Sequence, residues 1–551
     1  MSRLIYFIAL FVVTIIRNLP LRCCFRCGQA LGWIAWLILP QYRRLAQRNL
    51  QIAFGTEVSS SQLHRWTRQS LMMLGANILS SLKMPAMQIE EIQKTFTIEG
   101  EEYWEKFIAR NDHGGTVAAL NHFGNWELNA QAVVCLKMRA AGTVYQPLRN
   151  RFIDDLINRD RRSRGVATFD RRKDLSAAAS LLRQGGLLGI LTDQHAGDAG
   201  IWVPFFNKLA STSPLAATLA QKTGAALIPI TIRTVGVARW VIKIHPPIAT
   251  QDRAIRPLSK LAAGDNRASW EEARCLSSES PKGEQSGRLR GQEQGEEAHR
   301  RGVYKDILDE TSTDATQLFA SAVESPKRSI GAITYDLGEA LAQEIRRSPT
   351  DWFWVHNRWK LPKPAFLLSR TRRGFFLPEA TPQFAATVEF RKKLQPLKLL
   401  VRSPNWLGDA CMALPAIRSL KAGRPDLHLT ILTPAKLADL WKVVSEIDDI
   451  IIIPPKAAPW EVAKLLRQRT NSNLVPPFAA ALLLPNSVRS ALEVWLAKIP
   501  RRIGRVGKKG KLRSWLINQP FPDDIEKLNH ERDQYFAVAR WLGAPETDCR
   551  L

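Results

Sequence analysis

The sequence predicts an α/β fold in which an amino-terminal apolar helix precedes two successive units of alternating strands and helices. Short apolar runs, such as 116–120 and 187–191, are bounded by polar residues, and the segments between them have helical periodicity. The same pattern of strand, loop and helix starts again near residue 397. A chain of 551 residues also exceeds one ordinary core, because domains average roughly 100 to 200 residues.

The first element is an apolar segment, and we expect residues 1–20 to form a membrane-anchoring helix. Residues 4–16 are apolar apart from Thr14, and Arg17, Arg22 and Arg26 follow closely. The apolar run is shorter than the about 20 residues that span a bilayer, so an interfacial anchor or a signal-type segment is an alternative. The arginines favour the cytoplasmic side for the chain that follows.

Apolar runs predict the strands and helices of a first unit over residues 21–364, with a central mixed sheet. The expected elements are strands 116–120, 187–191 and 226–232 and helices 175–183 and 215–223. An insertion at about 262–330 interrupts this unit, and residues 277–301 contain a single large apolar residue, Leu289. We expect this insertion to be disordered, because it cannot bury enough surface to offset the entropy of ordering.

A helix and a tryptophan-rich segment are expected to close the first unit. Leu337, Leu341 and Ile345 recur every four residues and predict one helical face, which Pro349 ends. The aromatics of 351–360 either pack against the unit or form an interfacial belt among lipid headgroups, and we favour packing.

A proline-punctuated linker over residues 365–396 is expected to precede a second unit over 397–551. Residues 398–433 are predicted to form a strand, a loop, a helix and a strand, which is half of a βαβ crossover. The second unit is therefore predicted to be Rossmann-like.

The charge of the chain predicts polyanionic partners. With 78 Lys and Arg against 51 Asp and Glu, the net charge is +27, which favours nucleic acid, anionic lipid or an acidic carrier protein. A nucleic-acid partner is not expected, because it explains neither the apolar amino terminus nor the ordered motifs. The seven cysteines are irregularly spaced, and the lone C-x-x-C at 24–27 has no second pair, so neither a disulfide framework nor a metal site is expected.

His122 and Glu127 are a candidate catalytic pair. His122 follows strand 116–120, and ligands collect at the carboxyl ends of strands in open α/β sheets. Residues five apart on one helix diverge by about 140°, so the pair can meet only if His122 lies in a loop, which Gly124 and Asn125 provide. A carboxylate behind an imidazole fixes its tautomer and makes it a general base. Ordinary polar residues of a loop are the alternative interpretation.

The motifs around this pair resemble the lipid A biosynthesis late acyltransferases, the lauroyl and myristoyl acyltransferase family. NHFGNWE at 121–127 is similar to the H-x-x-x-x-[D/E] motif of that family and of the broader lysophospholipid acyltransferase group. The likeness covers about 1–364 apart from the insertion and continues, in family order, through residues 158–165, 193–206, 210–229 and the tryptophan-rich segment before Lys360.

This resemblance implies an O-acyltransferase on the cytoplasmic face of the bacterial inner membrane. It would transfer a fatty acyl chain from acyl carrier protein to a hydroxyl of a lipid A precursor, with no cofactor. Acyl carrier protein, the precursor and the inner membrane are all anionic, which matches the net charge. The alternatives are another glycolipid or phospholipid acceptor, or a catalytically inactive scaffold for lipopolysaccharide assembly.

The resemblance also implies roles for six residues. His122 would deprotonate the acceptor hydroxyl, and Glu127 would orient it. Arg164 would bind phosphate or stabilise an oxyanion, although the basic residues of 159–173 are equally typical of a solvated or lipid-facing surface. The residues implied as supports of the site or as substrate-binding residues are Arg161, Asp193 and Gln194.

Residues 398–433 resemble the start of the glycosyltransferase family 9 heptosyltransferases, which add heptose to the lipopolysaccharide inner core. The likeness extends to about Arg513 and implies that Asp409 is the base that activates an acceptor sugar hydroxyl, although aspartate also commonly caps helices. The family's nucleotide-sugar half is not recognised before Leu551. We therefore expect a truncated half, fused to the acyltransferase unit, that binds acceptor or works with a separate glycosyltransferase chain.

Overall fold

The computed structural model describes residues 2–55, 57–108, 114–136, 140–148, 150–251, 327–364, 367–368, 373–378, 394–469, 477–506 and 511–545. Of the insertion predicted at about 262–330, residues up to 326 lie outside the described residues, and only 327–330 are described. Only 367–368, 373–378 and 394–396 of the predicted linker are described. The chain divides into one unit formed by Met1–Thr250 with Ser329–Leu551 and another formed by Gln251–Arg328.

The amino-terminal region is helical. Its helices are α1 Ser2–Asn18, α2 Leu21–Ile38, α3 Pro40–Phe54 and α4 Ser60–Lys83. Helices α2 and α4 cross closely at Gly28 and Gly75, where a Cβ atom added to Gly28 would lie 2.3 Å from the carbonyl oxygen of Gly75. Only glycine permits this approach of the two backbones. Among the described helices no single one combines the length and hydropathy of a membrane span, whereas α2 and α3 pass such a test together across a 96° bend.

The first sheet is mixed and seven-stranded, with the order β1-β9-β8-β2-β5-β3-β4 among the described strands. Every neighbouring pair is parallel except β8 with β9. Strands β6 and β7 form a separate antiparallel pair. The strands are β1 Phe96–Glu99, β2 Thr116–Leu120, β3 Ala141–Tyr145, β4 Val166–Asp170, β5 Leu187–Leu191, β6 Ile201–Phe205, β7 Lys208–Thr212, β8 Ala226–Gly236 and β9 Arg239–Ile244.

Helices connect and cover these strands, as parallel pairing requires. The α-helices are α5 Ile89–Gln93, α6 Glu101–Ile108, α7 Leu128–Ala132, α8 Arg151–Arg162, α9 Leu175–Arg183, α10 Leu215–Thr223 and α11 Ile330–Arg347, and single 3₁₀ turns form at Met84–Ala86, Val133–Leu136 and Gly197–Ala199. Leu337, Leu341 and Ile345 of α11 are buried, and the helix ends before Pro349 as predicted. The predicted strands 116–120, 187–191 and 226–232 are therefore present in this sheet, the last of them extended to Gly236.

The second sheet has six parallel strands in the order β12-β11-β10-β13-β14-β15 among the described residues. Numbered from its first strand, this is the 3-2-1-4-5-6 order of a doubly wound sheet. The α/β class is confirmed. The strands are β10 Leu397–Arg402, β11 Leu427–Pro434, β12 Asp449–Ile453, β13 Ala480–Leu483, β14 Arg501–Gly504 and β15 Gln519–Pro520. The helices are α12 Leu407–Ala422, α13 Ala438–Lys442, α14 Pro459–Arg467, α15 Val488–Leu496, α16 Lys511–Leu516, α17 Asp523–Glu526 and α18 Glu531–Trp541, with a 3₁₀ turn at Ala435–Leu437.

A contact around Arg424 joins the second sheet to the β6–β7 pair. The Arg424 guanidinium lies 5.0 Å from the ring centroid of Trp202 and 5.2 Å from that of Phe375. It also forms an ion pair with Asp426 at 2.5 Å, and both side chains are only 2% exposed. Because Trp202 lies on β6 and Arg424 lies three residues before β11, this cation–π contact anchors the second sheet to the β6–β7 pair.

Candidate active site

The His122 loop follows β2 and is held by two backbone segments. Gly124 has a φ of +57°, and an added Cβ would lie 1.9 Å from the carbonyl oxygen of Ile232, so only glycine fits this turn. The amide of Gly124 donates to the carbonyl of Asp351 at 2.9 Å, and the amide of Phe353 donates to the carbonyl of His122 at 3.0 Å. The tryptophan-rich segment thereby fixes His122 at the carboxyl end of β2.

Asp193 is the carboxylate bound to His122. Its Oδ1 lies 2.8 Å from Nδ1 of the imidazole, and its Oδ2 accepts the backbone N–H of His122 at 2.9 Å. The indole Nε1 of Trp352 donates to the same Oδ2 at 2.9 Å. With the carboxylate ionised, Nδ1 carries the hydrogen and Nε2 keeps its lone pair. This is the arrangement of a general base with an orienting acid.

Burial and charge shift the pKa values of His122 and Asp193 in opposite directions. Burial alone would raise the pKa of Asp193, but the charge of His122 and hydrogen bonds from His122 and Trp352 lower it to about 2. Burial likewise tends to lower the pKa of His122, but the charge and hydrogen bond of Asp193 raise it above its ordinary value. Asp193 therefore stays ionised, and its charge favours the imidazolium that forms when His122 accepts a proton.

The other face of the imidazole meets an amide and two aromatic rings. The side-chain amide nitrogen of Gln194 lies 3.3 Å from Nε2 of His122. The ring centroids of Trp126 and Phe353 lie 5.2 Å and 5.7 Å from that of His122. The side chain of His122 is 13% exposed, and its contact with Gln194 through Nε2 lies on the exposed side.

Glu127, which is predicted to orient His122, is paired with Arg161 in the structure. Nη2 and Nε of Arg161 donate to the two carboxylate oxygens of Glu127 at 2.6 Å and 3.2 Å. The reason is the turn at Gly124, after which Glu127 reaches the start of α7 opposite α8. Glu127 acts on His122 only through its charge, which raises the pKa of His122 less than Asp193 does. In place of one His122–Glu127 pair, the structure has two pairs: His122 with Asp193, and Glu127 with Arg161.

Arg164 donates hydrogen bonds to neighbouring protein groups. Its Nε donates to Gln131 Oε1 at 2.9 Å, and its Nη2 donates to the carbonyl of Met87 at 2.7 Å. These bonds join the turn after α8 to α7 and to the segment after α4. The structure thus gives Arg164 protein partners at Nε and Nη2, and its binding of phosphate or an oxyanion stays a prediction; Arg161 is the arginine bonded to Glu127.

Trp352 is a site residue that the sequence reasoning missed. The segment was expected to pack, and Trp352, Trp354 and Trp359 are all buried. The indole of Trp352 also reaches Asp193, whereas that of Trp354 donates to the carbonyl of Pro349 at 2.6 Å. A buried indole N–H usually needs a hydrogen-bond acceptor. A cluster of tryptophans expected to be buried therefore indicates that one of them could bind a polar residue of the site.

Asp409 lies in the first turn of α12, directly after β10. Its carboxylate is half-buried, and its charge adds to burial in raising the pKa of Tyr535. Trp406, which precedes α12, is 69% exposed, and Lys436 Nζ lies 4.5 Å from its ring centroid. The carboxyl ends of β10 and β13 are the switch point of the second sheet, so Asp409 has the position of a ligand-binding residue.

The chain matches the model of the bacterial lipid A biosynthesis acyltransferases over residues 1–266 and 309–361, which is more than half of its length. It belongs to this family. The predicted resemblance to the lipid A acyltransferases is confirmed at that level. In the described part of this family member, no group of three or more His, Cys, Asp or Glu side chains is arranged to hold a metal ion.

Relatives of a second kind match a smaller share of this family member. It is 32% identical over 144 residues to lipopolysaccharide heptosyltransferase 2 of Salmonella typhimurium, covering 26% of this chain and 40% of the relative. The Escherichia coli heptosyltransferase 2 is 30% identical over 151 residues, covering 27% and 42%. The chain thus spans about two fifths of the length of these relatives.

Two solved structures are also similar to parts of this chain. One is E. coli ADP-heptose lipopolysaccharide heptosyltransferase II, at 29% identity and a TM-score of 0.22, covering 26% of this chain and 40% of that one. The other is a glycosyl transferase family 9 protein from Veillonella parvula, at 19% identity and a TM-score of 0.24, covering 28% and 42%.

Proposed function

We propose that this chain transfers a fatty acyl group from acyl carrier protein to a hydroxyl of a lipid A precursor, with His122 as the general base. The observation that carries the proposal is the hydrogen bond of 2.8 Å between His122 Nδ1 and Asp193, in a member of the lipid A acyltransferase family. It leaves Nε2 able to accept a proton, which is what the attack of an alcohol on a thioester requires.

The reaction proceeds through one proton acceptor that later returns the proton. Neutral His122 takes the proton of the acceptor hydroxyl at Nε2 while the hydroxyl oxygen bonds to the thioester carbonyl carbon. Asp193 stabilises the imidazolium. The C–S bond then breaks, and the departing thiolate of the carrier takes the proton from His122. The products are an ester of the acceptor and the free carrier thiol, and no cofactor takes part.

Gln194 and the Glu127–Arg161 pair are assigned to substrate binding. The Gln194 amide is next to Nε2, where it can donate to the thioester carbonyl as negative charge develops on that oxygen. Arg161 is 16% exposed and keeps donors for a phosphate or carboxylate of the substrates while Glu127 holds its guanidinium.

An anionic inner membrane fits the amino-terminal helices. Exposed apolar residues lie on both α1 and α2, among them Phe11 at 67% and Ile38 at 66% exposure. Arg22, Arg26 and Arg44 are exposed nearby. Apolar surface flanked by basic residues binds the headgroup region of anionic bilayers. The proposed location is therefore the cytoplasmic face of the bacterial inner membrane, where the lipid acceptor and acyl carrier protein meet.

Membranes containing the protein, incubated with acyl carrier protein thioester and a tetraacylated lipid A precursor, test the reaction by mass spectrometry. The expected result is the added mass of one acyl chain, lost in His122→Ala and kept in His530→Ala, whose exposed histidine directly precedes helix α18. A parallel reaction with a phospholipid as acceptor shows whether the enzyme acylates phospholipids instead of the lipid A precursor. Equal product from His122→Ala would contradict the mechanism, and no product from the unmodified chain with either acceptor would favour a scaffold.

For the second sheet we propose acceptor binding in lipopolysaccharide assembly, with Asp409 as the base of a glycosyl transfer. The identity of 32% with a heptosyltransferase and the 3-2-1-4-5-6 strand order support this second candidate. Both activities would serve glycolipids of one pathway, and the sheet would work in this fused chain or with a separate glycosyltransferase chain.

A further inference from the structure

The end of α1 is connected to the helix that carries Arg161. Arg17 Nη2 forms an ion pair with Asp160 Oδ2 at 2.6 Å, with side-chain exposures of 27% and 21%. Asp160 directly precedes Arg161 in α8. Successive residues of a helix point about 100° apart, so α8 presents Asp160 to α1 and Arg161 to Glu127. Near the other end of the pair of helices, the rings of Tyr6 and Phe152 lie 5.5 Å apart.

The same end of α1 is bound to the carboxyl end of α4. Arg17 Nε donates to the carbonyl of Leu82 at 3.4 Å, and Lys83 Nζ donates to the carbonyl of Arg17 at 2.5 Å. One residue before Leu82 in α4, the hydroxyl of Ser81 donates to Asn125 Oδ1 at 2.7 Å. Asn125 is fully buried within the His122 loop. Two routes of direct contact therefore lead from Arg17 to the site, one through α8 and one through the end of α4.

From these contacts we infer that Arg17 is a positioning residue that couples the apolar helix α1 to the Glu127–Arg161 pair and to the His122 loop. The inference rests on the proposed acyl transfer. Helix α1 would then do more than attach the chain to lipid. When its apolar face lies in a bilayer, the Arg17–Asp160 pair holds α8, and with it Arg161, in position at the site. A displacement of about 1 Å at reacting groups costs up to 10²-fold in rate, so loss of this restraint has a measurable effect.

Acyl transfer in detergent micelles, where attachment to a bilayer is not needed, tests the coupling. Arg17→Ala and Asp160→Ala are expected to lower kcat by on the order of tenfold, with vesicle binding unchanged because the exposed apolar residues of α1 remain. The exchanged pair Arg17→Asp with Asp160→Arg is expected to recover most of that loss. The matched control is Lys421→Ala. Like Arg17, Lys421 makes two contacts: an ion pair with Asp448 at 2.5 Å and a hydrogen bond to the backbone carbonyl of Leu427 at 2.7 Å.

Hydrogen exchange followed by mass spectrometry gives a readout that does not need activity. Arg17→Ala should exchange faster than the unmodified chain in α8 and in residues 121–127, and Lys421→Ala should not. Unchanged kcat and unchanged exchange in Arg17→Ala would overturn the coupling and reduce α1 to an anchor. If the unmodified chain transfers no acyl group, the proposed function fails, and the exchange comparison still decides whether Arg17 positions α8.

Discussion

His122 binds both carboxylate oxygens of Asp193, one through its ring and the other through its own backbone N–H. The two residues lie at the carboxyl ends of β2 and β5, which are hydrogen-bonded neighbours in the sheet. Because the backbone contact fixes the position of the carboxylate and the ring contact fixes the tautomer, the imidazole has one orientation in which Nε2 is the basic atom.

Asp193→Asn should change the pH dependence of acyl transfer as well as its rate. The general base is active when neutral, so kcat/KM of the unmodified enzyme should rise with pH through the pKa of His122, which Asp193 raises above 6.5. Loss of the charge lowers this pKa, so the acidic limb should move to lower pH. The maximal kcat should fall by on the order of 10³ to 10⁴, because the amide can favour the wrong tautomer.

Glu127→Gln is the comparison for that experiment. Glu127 raises the pKa of His122 less than Asp193 does, so its acidic limb should move less. A larger displacement in Glu127→Gln than in Asp193→Asn would assign the orienting role to Glu127 after all.

Trp352→Phe should lower kcat by on the order of tenfold while the fold is retained. The substitution removes the N–H that donates to Asp193 but keeps an aromatic ring in the buried cluster. The matched control is Trp354→Phe, whose indole donates to the carbonyl of Pro349. Steady-state rates and melting temperatures of both variants provide the measurement. Equal losses of rate in the two variants would indicate packing alone.

Arg161→Gln should raise the KM for an anionic substrate more than it lowers kcat. The substitution removes the positive charge and breaks the two hydrogen bonds to Glu127, whereas His122 and Asp193 keep their contacts. We expect a KM increase of roughly tenfold, corresponding to about 1.4 kcal/mol. Arg159→Ala, an exposed position on the same helix, is the control. A pure loss of kcat at constant KM would place Arg161 in the chemical step instead.

Asp409→Asn should leave acyl transfer unchanged and abolish any glycosyl transfer from ADP-heptose to a lipopolysaccharide precursor. Asp409 lies in the first turn of α12, beside the second sheet, and its amide counterpart keeps its size but cannot accept a proton. Incubation with ADP-heptose, alone and with a separate heptosyltransferase chain, followed by mass spectrometry of the glycolipid, provides the measurement. Asp439→Asn, which changes an exposed carboxylate on helix α13, is the control. Heptose transfer by Asp409→Asn at the unmodified rate would remove Asp409 from the reaction.

Much of the fold follows from apolar periodicity. Strands 116–120 and 187–191 and helices 175–183 and 215–223 were predicted with the bounds that the structure has, and strand 226–232 continues to Gly236. A continuous apolar run of five residues is typical of a parallel strand buried on both faces, so these runs were unambiguous.

The partner of His122 could not be predicted in the same way. Asp193 is 71 residues away in sequence, and it meets His122 only because β5 lies beside β2. The order of strands in a sheet is a property of the packed chain and not of any local pattern. Glu127, five residues away, was the nearer carboxylate, but the left-handed turn at Gly124 directs it towards α8.

The burial of Trp202 beneath the guanidinium of Arg424 affects how fragments of this chain behave. Trp202 is 1% exposed, and part of its cover is the guanidinium of Arg424, supplied from the second sheet. A recombinant fragment that ends at residue 364 would present the indole to solvent and also lose Phe375. Exposed apolar surface of this kind promotes aggregation. Poor solubility of such a fragment would therefore say nothing about whether its catalytic groups are intact.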